Sequence, residues 1–380
     1  MMIYCDYAAT TPMMEDALSV YHEVARKYYG NASSLHDSGS SAANILQNAR
    51  EMLADTLHTT SDTIYFTSGG TEGNVLAIDT LLRSCQGKKH VISSMMEHSS
   101  VYYHLLHLQE LGCIEVTFLE GNRNGQINID ELTAELRPDT CLVSIQYVNG
   151  ETGVIQPIKQ IAHILQQRKV YFHSDCVQSF GKIKIDLKEI PVDAITVSSH
   201  KVFGPKGVGA VYFHKAIPLT AHPINMNQEK GIRPGTADVA GAAAFAYAAS
   251  YMNRHLQENH AHLLDIKRYF ISQLKEHHIP LTVIETGCPS IAGCIADTMQ
   301  GDYILLEYNR YGVAISTGSA CSIGQQQIPR AIRPFLKKQE DGKRYIRFSF
   351  SHLTTMQDID QIIDISSKIF TRIEEERISL

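Results

Sequence analysis

The sequence predicts an α/β protein: a large, mostly parallel sheet with helices on both faces (an αβα domain), followed by a smaller α/β domain. Two patterns carry that expectation. Between residues 63 and 175, short β-prone apolar runs alternate with stretches of helical periodicity, as parallel sheets require. Three candidate functional groups, Glu97-His98, Asp175 and Lys201, each follow a strand-like run, where open parallel sheets keep their ligands. A chain of 380 residues has room for two cores.

Ile3 to Asp6 reads as a short strand, and Pro12 suits the first turn of a helix running toward Tyr28. Gly30 to His36 is rich in turn residues. Ala43, Leu46, Ala49, Leu53 and Leu57 then fall at helical spacing. Thr63 to Phe66 is a strand, Thr67 to Gly73 a glycine turn, and Asn74 opens a helix. Strands over 90–93, 114–119, 140–146 and 170–175 alternate with helices over 99–111, 129–136 and 158–168. Two further β-prone runs, 193–197 and 209–213, flank a Gly/Pro-rich turn that holds Lys201 at a strand end. An alanine-rich helix over 240–249 leads into a long helix through Ile266, and the domain boundary is expected near residue 255. Residues 15–255 then form the large domain, and residues 1–14 with 256–380 the small one. The last third alternates strand and helix over 281–285, 293–297, 303–310 and 313–316. It closes with a strand over 345–350 and a helix from Met356 to about residue 375. The segment from Asp6 to Pro12 packs on this small domain or reaches toward a neighbouring subunit.

Hydrophobic residues make up 44% and charged residues 19%, which is an ordinary globular composition. The net charge of −6 argues against direct nucleic-acid binding. No apolar run approaches the ~18 residues of a membrane span, and the first residues lack the charged and apolar regions of a leader. Eight cysteines are scattered without a CxxC pair, which suits reduced thiols and a cytoplasmic location. His104/His107 and His260/His262 lack nearby cysteine or carboxylate ligands and read as helix-surface histidines. The basic run from Lys337 to Arg344 reads as a solvated turn or a partner-facing edge.

A single turn lysine is usually solvated. Lys201, however, stands among hydroxyl and imidazole donors, Ser198, Ser199 and His200, where it could form a Schiff base with pyridoxal phosphate. The strand–turn–helix at Ser68-Gly69-Gly70-Thr71 exposes backbone N–H groups at a positive helix end and suits phosphate without a lysine. Asp175 closes an apolar run, so its carboxylate is partly buried and calls for a cationic partner. A pyridinium N–H would serve, as would a core arginine.

Across nearly its full length the chain resembles the pyridoxal-phosphate cysteine desulfurases of the NifS/IscS type. The resemblance is carried by an ordered set of blocks: Asp6 to Pro12, Gly30-Asn31, Phe66 to Glu72, Glu97-His98, His173 to Gln178 and Ser199-His200-Lys201. It continues through Gly204 to Gly207, Arg233 to Thr236, Gly318 to Cys321 and Arg347-Phe348-Ser349. It implies the type I pyridoxal-phosphate fold and a homodimer. Lys201 would be the Schiff-base lysine, and Asp175 the partner of the pyridine nitrogen. Gln178 would bond the ring oxygen, and His98 would stack on the ring and shuttle protons. Gly70, Thr71, Ser198 and His200 would hold the phosphate, with Thr236 from the second subunit. Arg347 would clamp the carboxylate of L-cysteine.

Cys321 would be the nucleophile that accepts sulfur as a persulfide, releases alanine and passes the sulfur to an acceptor protein. Iron–sulfur cluster assembly, tRNA thiolation and a dedicated cluster enzyme, such as one of NAD biosynthesis, all fit that acceptor. A selenocysteine lyase or aminotransferase on the same fold, or a non-catalytic scaffold for sulfur carriers, are the alternatives. The family's Asn-Asn-Glu reads Asn149-Gly150-Glu151 here. Without a side chain at 150, the ring-oxygen contact falls to Gln178 alone, or to Asn149 or water beside it. Ser351 stands where the family often has glycine.

Overall fold

The chain begins with β1 (Ile3–Tyr4) and two helices, α1 (Glu15–Lys27) and α2 (Asp37–Thr56). The alternating region follows: β2 (Ile64–Thr67), α3 (Gly70–Arg83), β3 (His90–Ser94), α4 (Ser99–Glu110), β4 (Glu115–Leu119), α5 (Ile129–Glu135), β5 (Thr140–Ser144), α6 (Ile158–Arg168) and β6 (Tyr171–Asp175). Next come β7 (Ala194–Ser198), β8 (Gly209–Phe213), α7 (Val239–Arg254) and α8 (Leu256–Glu276). The last part holds β9 (Leu281–Val283), β10 (Ile291–Ala296), α9 (Gly301–Arg310), β11 (Val313–Ala314), β12 (Tyr345–Ser349) and α10 (Met356–Ile378). The structure, a computed structural model, describes residues 2–87, 89–220, 228–318 and 328–378.

Seven strands form the large sheet in the order β2-β8-β7-β6-β5-β3-β4. The pairs from β7 through β4 are parallel, while β8 runs against both β7 and β2. With β8 the one reversed strand, β2 points the same way as β7. Its exit into α3 therefore lies on the same edge as the exits of β3, β5, β6 and β7. Successive side chains alternate between two cores, as the pleat requires. Val91 and Leu142 pack with α3 and α4, whereas Ile92 and Val143 pack with α2, α6 and α7. A strand buried on both faces must be apolar at every position, which is why these runs read as continuous in the sequence.

A separate antiparallel sheet, β12-β10-β9, packs with α8, α9 and α10 around Phe270, Tyr308 and Phe348. β1 pairs in parallel with β11, so the amino-terminal strand belongs to this part of its own chain.

Three boundaries differ from the sequence expectation. α1 starts at Glu15, beyond Pro12, because the Thr11 N–H donates to the His200 carbonyl and the Met14 N–H to that of Phe203. Those bonds hold residues 11–14 extended along the Lys201 turn. α3 starts at Gly70 rather than Asn74, one turn earlier. The long helix after residue 240 is two helices, interrupted at His255, where ψ is 13°.

Between the end of β8 and α7, a buried bidentate pair ties the chain down. Arg50 Nη1 and Nη2 donate to the two Glu229 oxygens at 2.7 and 2.8 Å, and the Phe66 N–H donates to Glu229 Oε2 at 2.7 Å. Glu229 and Lys230 adopt left-handed φ of 43° and 55°, a conformation that the pair and its backbone bond help to hold.

Candidate active site

The strand exits and the start of α3 converge on one cavity of about 1130 Å³. Gly70, Thr71, His98, Asp175, Gln178, Ser198, His200, Lys201 and Arg347 all line it. They come from five separate stretches of chain; four meet because the strands of the large sheet end on one edge, and Arg347 reaches in from β12.

At one end of the cavity lies the first turn of α3. Gly69, with φ of 150°, turns the chain off β2, and Gly70 begins the helix. A Cβ on Gly70 would come within 2.8 Å of Val177, so a side chain there would collide with the chain beyond β6. Ser198 is buried, and its hydroxyl has no hydrogen-bond partner among the described residues. A buried hydroxyl left without a partner, beside free N–H groups at a helix start, suits an oxyanion such as phosphate. His200 binds Thr10 Oγ1 through Nδ1 at 3.1 Å. Burial, with the nearby Lys201, pushes its pKa down to about 4, so its imidazole is neutral near pH 7.

In the middle, Asp175 is buried at the end of β6. Its Oδ2 accepts from Asn74 Nδ2 at 2.8 Å and its Oδ1 from the Val177 N–H at 2.9 Å. Both donors are neutral, which leaves the buried carboxylate able to take a cationic N–H. Lys201 sits in the 3-10 turn that follows β7, and its Nζ donates to the Ala8 and Ala9 carbonyls at 2.6 and 2.7 Å. Burial pushes its pKa down to about 7, helped by Lys182 and Arg347. A substantial fraction is therefore the neutral amine, the form that attacks a carbonyl.

His98 caps α4 and accepts the Ser100 N–H on Nδ1 at 3.2 Å, which places the proton of the neutral ring on Nε2. Burial lowers its pKa, with Asp175 opposing and Lys201 and Arg330 reinforcing the shift.

At the far end, Arg347 is buried on β12. Its Nη2 donates to Asp6 Oδ1 at 2.7 Å and its Nη1 to the Gly150 carbonyl at 2.9 Å. Its buried Nε has no partner among the described residues. An arginine with a spare donor at a cavity wall suits a carboxylate.

One expected residue is not brought into the cavity, and another cannot be placed. Thr236 is exposed and stands outside it. Cys321 lies outside the described residues. The residues on either side of its segment, Gly318 and Ile328 to Arg330, line the cavity, and a Cβ on Gly318 would come within 2.8 Å of Pro329. The basic run near Lys337 also contributes, since Gln339 and Lys343 line the same cavity.

A model of the class-V aminotransferase family matches residues 3–362. The chain belongs to that family. This class-V protein is 42% identical over 373 residues to a Bacillus subtilis protein named for the NifS type of cysteine desulfurase, covering 95% of this chain and 93% of the relative. It is 33% identical over 377 residues to the cysteine desulfurase IscS of Dictyoglomus turgidum, covering 98% and 95%. A solved NifS-like protein superposes with a TM-score of 0.91 at 27% identity, covering 98% of this chain and 100% of that one. The type I fold expected from the resemblance is thus the fold of this class-V protein.

Asn74, Arg330 and Lys182 escape the sequence reading as site residues, and the partners of Glu97 do too. Asn74 holds Asp175 and lies one helical turn after Gly70, so helical spacing was a usable signal. Glu97 is fully buried, and burial pushes its carboxyl well above the usual range. Both its oxygens accept the Gln146 N–H, at 3.0 and 3.1 Å. Arg330 stacks its guanidinium 3.8 Å from the Tyr102 ring and donates to the Met95 and Glu97 carbonyls. Nothing local marks an arginine that finds its partners more than 200 positions away. Lys182 donates to Gln178 Oε1 at 2.8 Å.

Proposed function

We propose that the protein is a pyridoxal-phosphate-dependent cysteine desulfurase. The observation that carries this reading is one cavity holding a half-buried lysine, a buried aspartate and a partnerless Ser198 hydroxyl, with Gly318 and Pro329 in its lining. These residues fit the cofactor. Gly70, Thr71, Ser198 and His200 would hold its phosphate, Asp175 its ring nitrogen, Gln178 its ring oxygen and Lys201 its carbonyl carbon. When bound, pyridoxal phosphate supplies an electron sink for the pair left at the substrate α-carbon. The curated relatives named as cysteine desulfurases support L-cysteine as the substrate.

Arg347 binds the L-cysteine carboxylate through its spare Nε and the fork that Asp6 now shares. His98, neutral and oriented by Ser100, moves protons at Nε2. Cys321, as a thiolate, forms an S–S bond to the substrate sulfur as the substrate C–S bond breaks. The carbon fragment takes up protons and leaves as alanine. Cys321 is three residues from Gly318, a reach of ~10 Å for extended chain.

The persulfide sulfur then passes to an acceptor protein, for iron–sulfur cluster assembly or thiolation, in the cytoplasm. A second copy of the chain brings Thr236 to the phosphate, which accords with the exposure of Thr236 in the single chain. Residues 15–255 serve as the cofactor domain, and residues 1–14 with 256–380 as the smaller one. No helix among the described residues is long and apolar enough to cross a membrane.

The test is a pair of variants loaded with pyridoxal phosphate and supplied with L-cysteine and a reductant. Cys321→Ala should keep the visible cofactor band and lose sulfide and alanine production. Lys201→Ala should lose the band itself. Full turnover by Cys321→Ala would overturn the mechanism.

A further inference from the structure

The chain lacks a side chain at position 150, where the family pattern it resembles has an asparagine, and the neighbouring residues show what occupies that space. A Cβ on Gly150 would fall 3.0 Å from Gln178 Nε2, 3.1 Å from its Cγ and 3.3 Å from its Cδ. The Gln178 side chain therefore lies directly against bare backbone. Asn149 is already tied down in its own turn. Its Oδ1 accepts from the Glu151 and Thr152 N–H groups and the Thr152 hydroxyl, while its Nδ2 donates to the Met96 carbonyl.

An amide can sit either way round, and only its partners decide which face presents the N–H₂. Two partners decide it for Gln178. Lys182 Nζ donates to Oε1 at 2.8 Å, and Nε2 donates to the Ala8 carbonyl at 2.8 Å. An ammonium can only donate and a carbonyl can only accept, so a flipped amide would oppose both. The same Ala8 carbonyl accepts from Lys201 Nζ at 2.6 Å, and the Ala8 N–H donates to Ser349 Oγ at 2.9 Å. Lys182, Gln178, Ala8 and Lys201 thus form one connected chain of hydrogen bonds. A second, smaller cavity of about 20 Å³ shares Ala8 and Lys201 with the large one and has Lys182 on its wall.

We propose that Lys182 is a positioning residue: it locks the Gln178 amide with its N–H₂ group toward the cavity, so that Gln178 meets the cofactor ring oxygen without help from a side chain at position 150. The inference rests on the cofactor reading above. The amide nitrogen has a second hydrogen beyond the one given to Ala8, and that donor stabilises the ionised ring oxygen. Lys182 is itself enclosed, with its pKa pushed down to about 8 by burial, and donates to Oε1 whether charged or neutral. The charged and titratable groups acting on this chain are Arg347 and Cys288 at Lys182, and Arg347, Asp6 and Asp175 at Lys201. Lys182→Arg keeps both the charge and a donor.

The experiment is a pH titration of the visible band of the protein loaded with pyridoxal phosphate. It compares wild type, Lys182→Met, Lys182→Arg, Gln178→Leu and the double variant. Losing the ring-oxygen donor disfavours the deprotonated oxygen, so Lys182→Met and Gln178→Leu should each raise the midpoint by ~1 unit. Lys182→Arg should restore it most of the way. In the Gln178→Leu background, Lys182→Met should shift the midpoint by less than half as much, because the two act as a unit. An unchanged midpoint in Lys182→Met, or the same shift in both backgrounds, overturns the lock and leaves Lys182 as a simple charge or packing group. Wild type that takes up no pyridoxal phosphate and shows no band overturns the cofactor reading itself.

Discussion

Arg347 Nη2 donates to Asp6 Oδ1 at 2.7 Å, a bond that joins the small antiparallel sheet to the amino-terminal turn across 341 positions of chain. The same guanidinium holds the Gly150 carbonyl, so it is orientated before any substrate arrives. Its fork geometry, and not its charge alone, is what a carboxylate would use. Arg347→Lys keeps the charge and loses the fork. The KM for L-cysteine should rise ~10–100-fold, the worth of one charge-assisted bond, with a smaller change in kcat. Steady-state kinetics of alanine formation measure it, and an unchanged KM would remove Arg347 from substrate binding.

The depressed pKa of Lys201 predicts when the apoprotein takes up its cofactor. Only the neutral amine attacks a carbonyl, so the uptake rate of pyridoxal phosphate should rise with pH through a midpoint near 7. Stopped-flow absorbance across pH 6 to 10 measures this. A midpoint above 9 would mean that burial does not tune this lysine.

Buried neutral histidines set the acid limit of stability. His173 sits wholly inside β6, with its pKa pushed down to about 3 by burial, and that of the half-buried His200 is pushed down to about 4 by burial and the nearby lysines. Both values lie below the ordinary ~6.5, so the unfolded chain binds protons first as pH falls. Stability should be full above pH ~6.5 and fall toward pH 4, by ~1.4 kcal/mol per pH unit for each histidine. Urea melts at stepped pH read the slope, and His200→Asn should flatten it.

The Arg50–Glu229 pair predicts a large penalty for losing one partner. Glu229→Ala would leave the Arg50 guanidinium buried without its carboxylate and strip the Phe66 N–H of its acceptor. The expected cost is ~3–5 kcal/mol, seen as a lower denaturation midpoint. A loss under 1 kcal/mol would show that water replaces the carboxylate.

Much of the fold was legible because its cause is local. Parallel strands buried on both faces leave unbroken apolar runs, and the helices between them leave a 3.6-residue period. The alternation from Ile64 to Asp175 therefore appears in the sequence to within a few residues. Lys201 and Asp175 were legible for the same reason, since each stands where an apolar run stops. Where the expectation slipped, long-range bonds were responsible. Helix α1 waits until Glu15 because Thr11 and Met14 are committed to His200 and Phe203, nearly 190 positions away.

What the sequence by itself determined is the α/β architecture and the set of groups at strand ends that make a cofactor site worth proposing. Only the tertiary structure decided how those groups are held. Lys182 fixes the face of Gln178, Gly150 makes room for it, Asp6 steadies Arg347, and Asn74 braces Asp175. Periodicity and turn chemistry are written in neighbouring residues. The orientation of a buried amide or guanidinium depends on partners that become neighbours only when the chain has folded, and no local pattern encodes them.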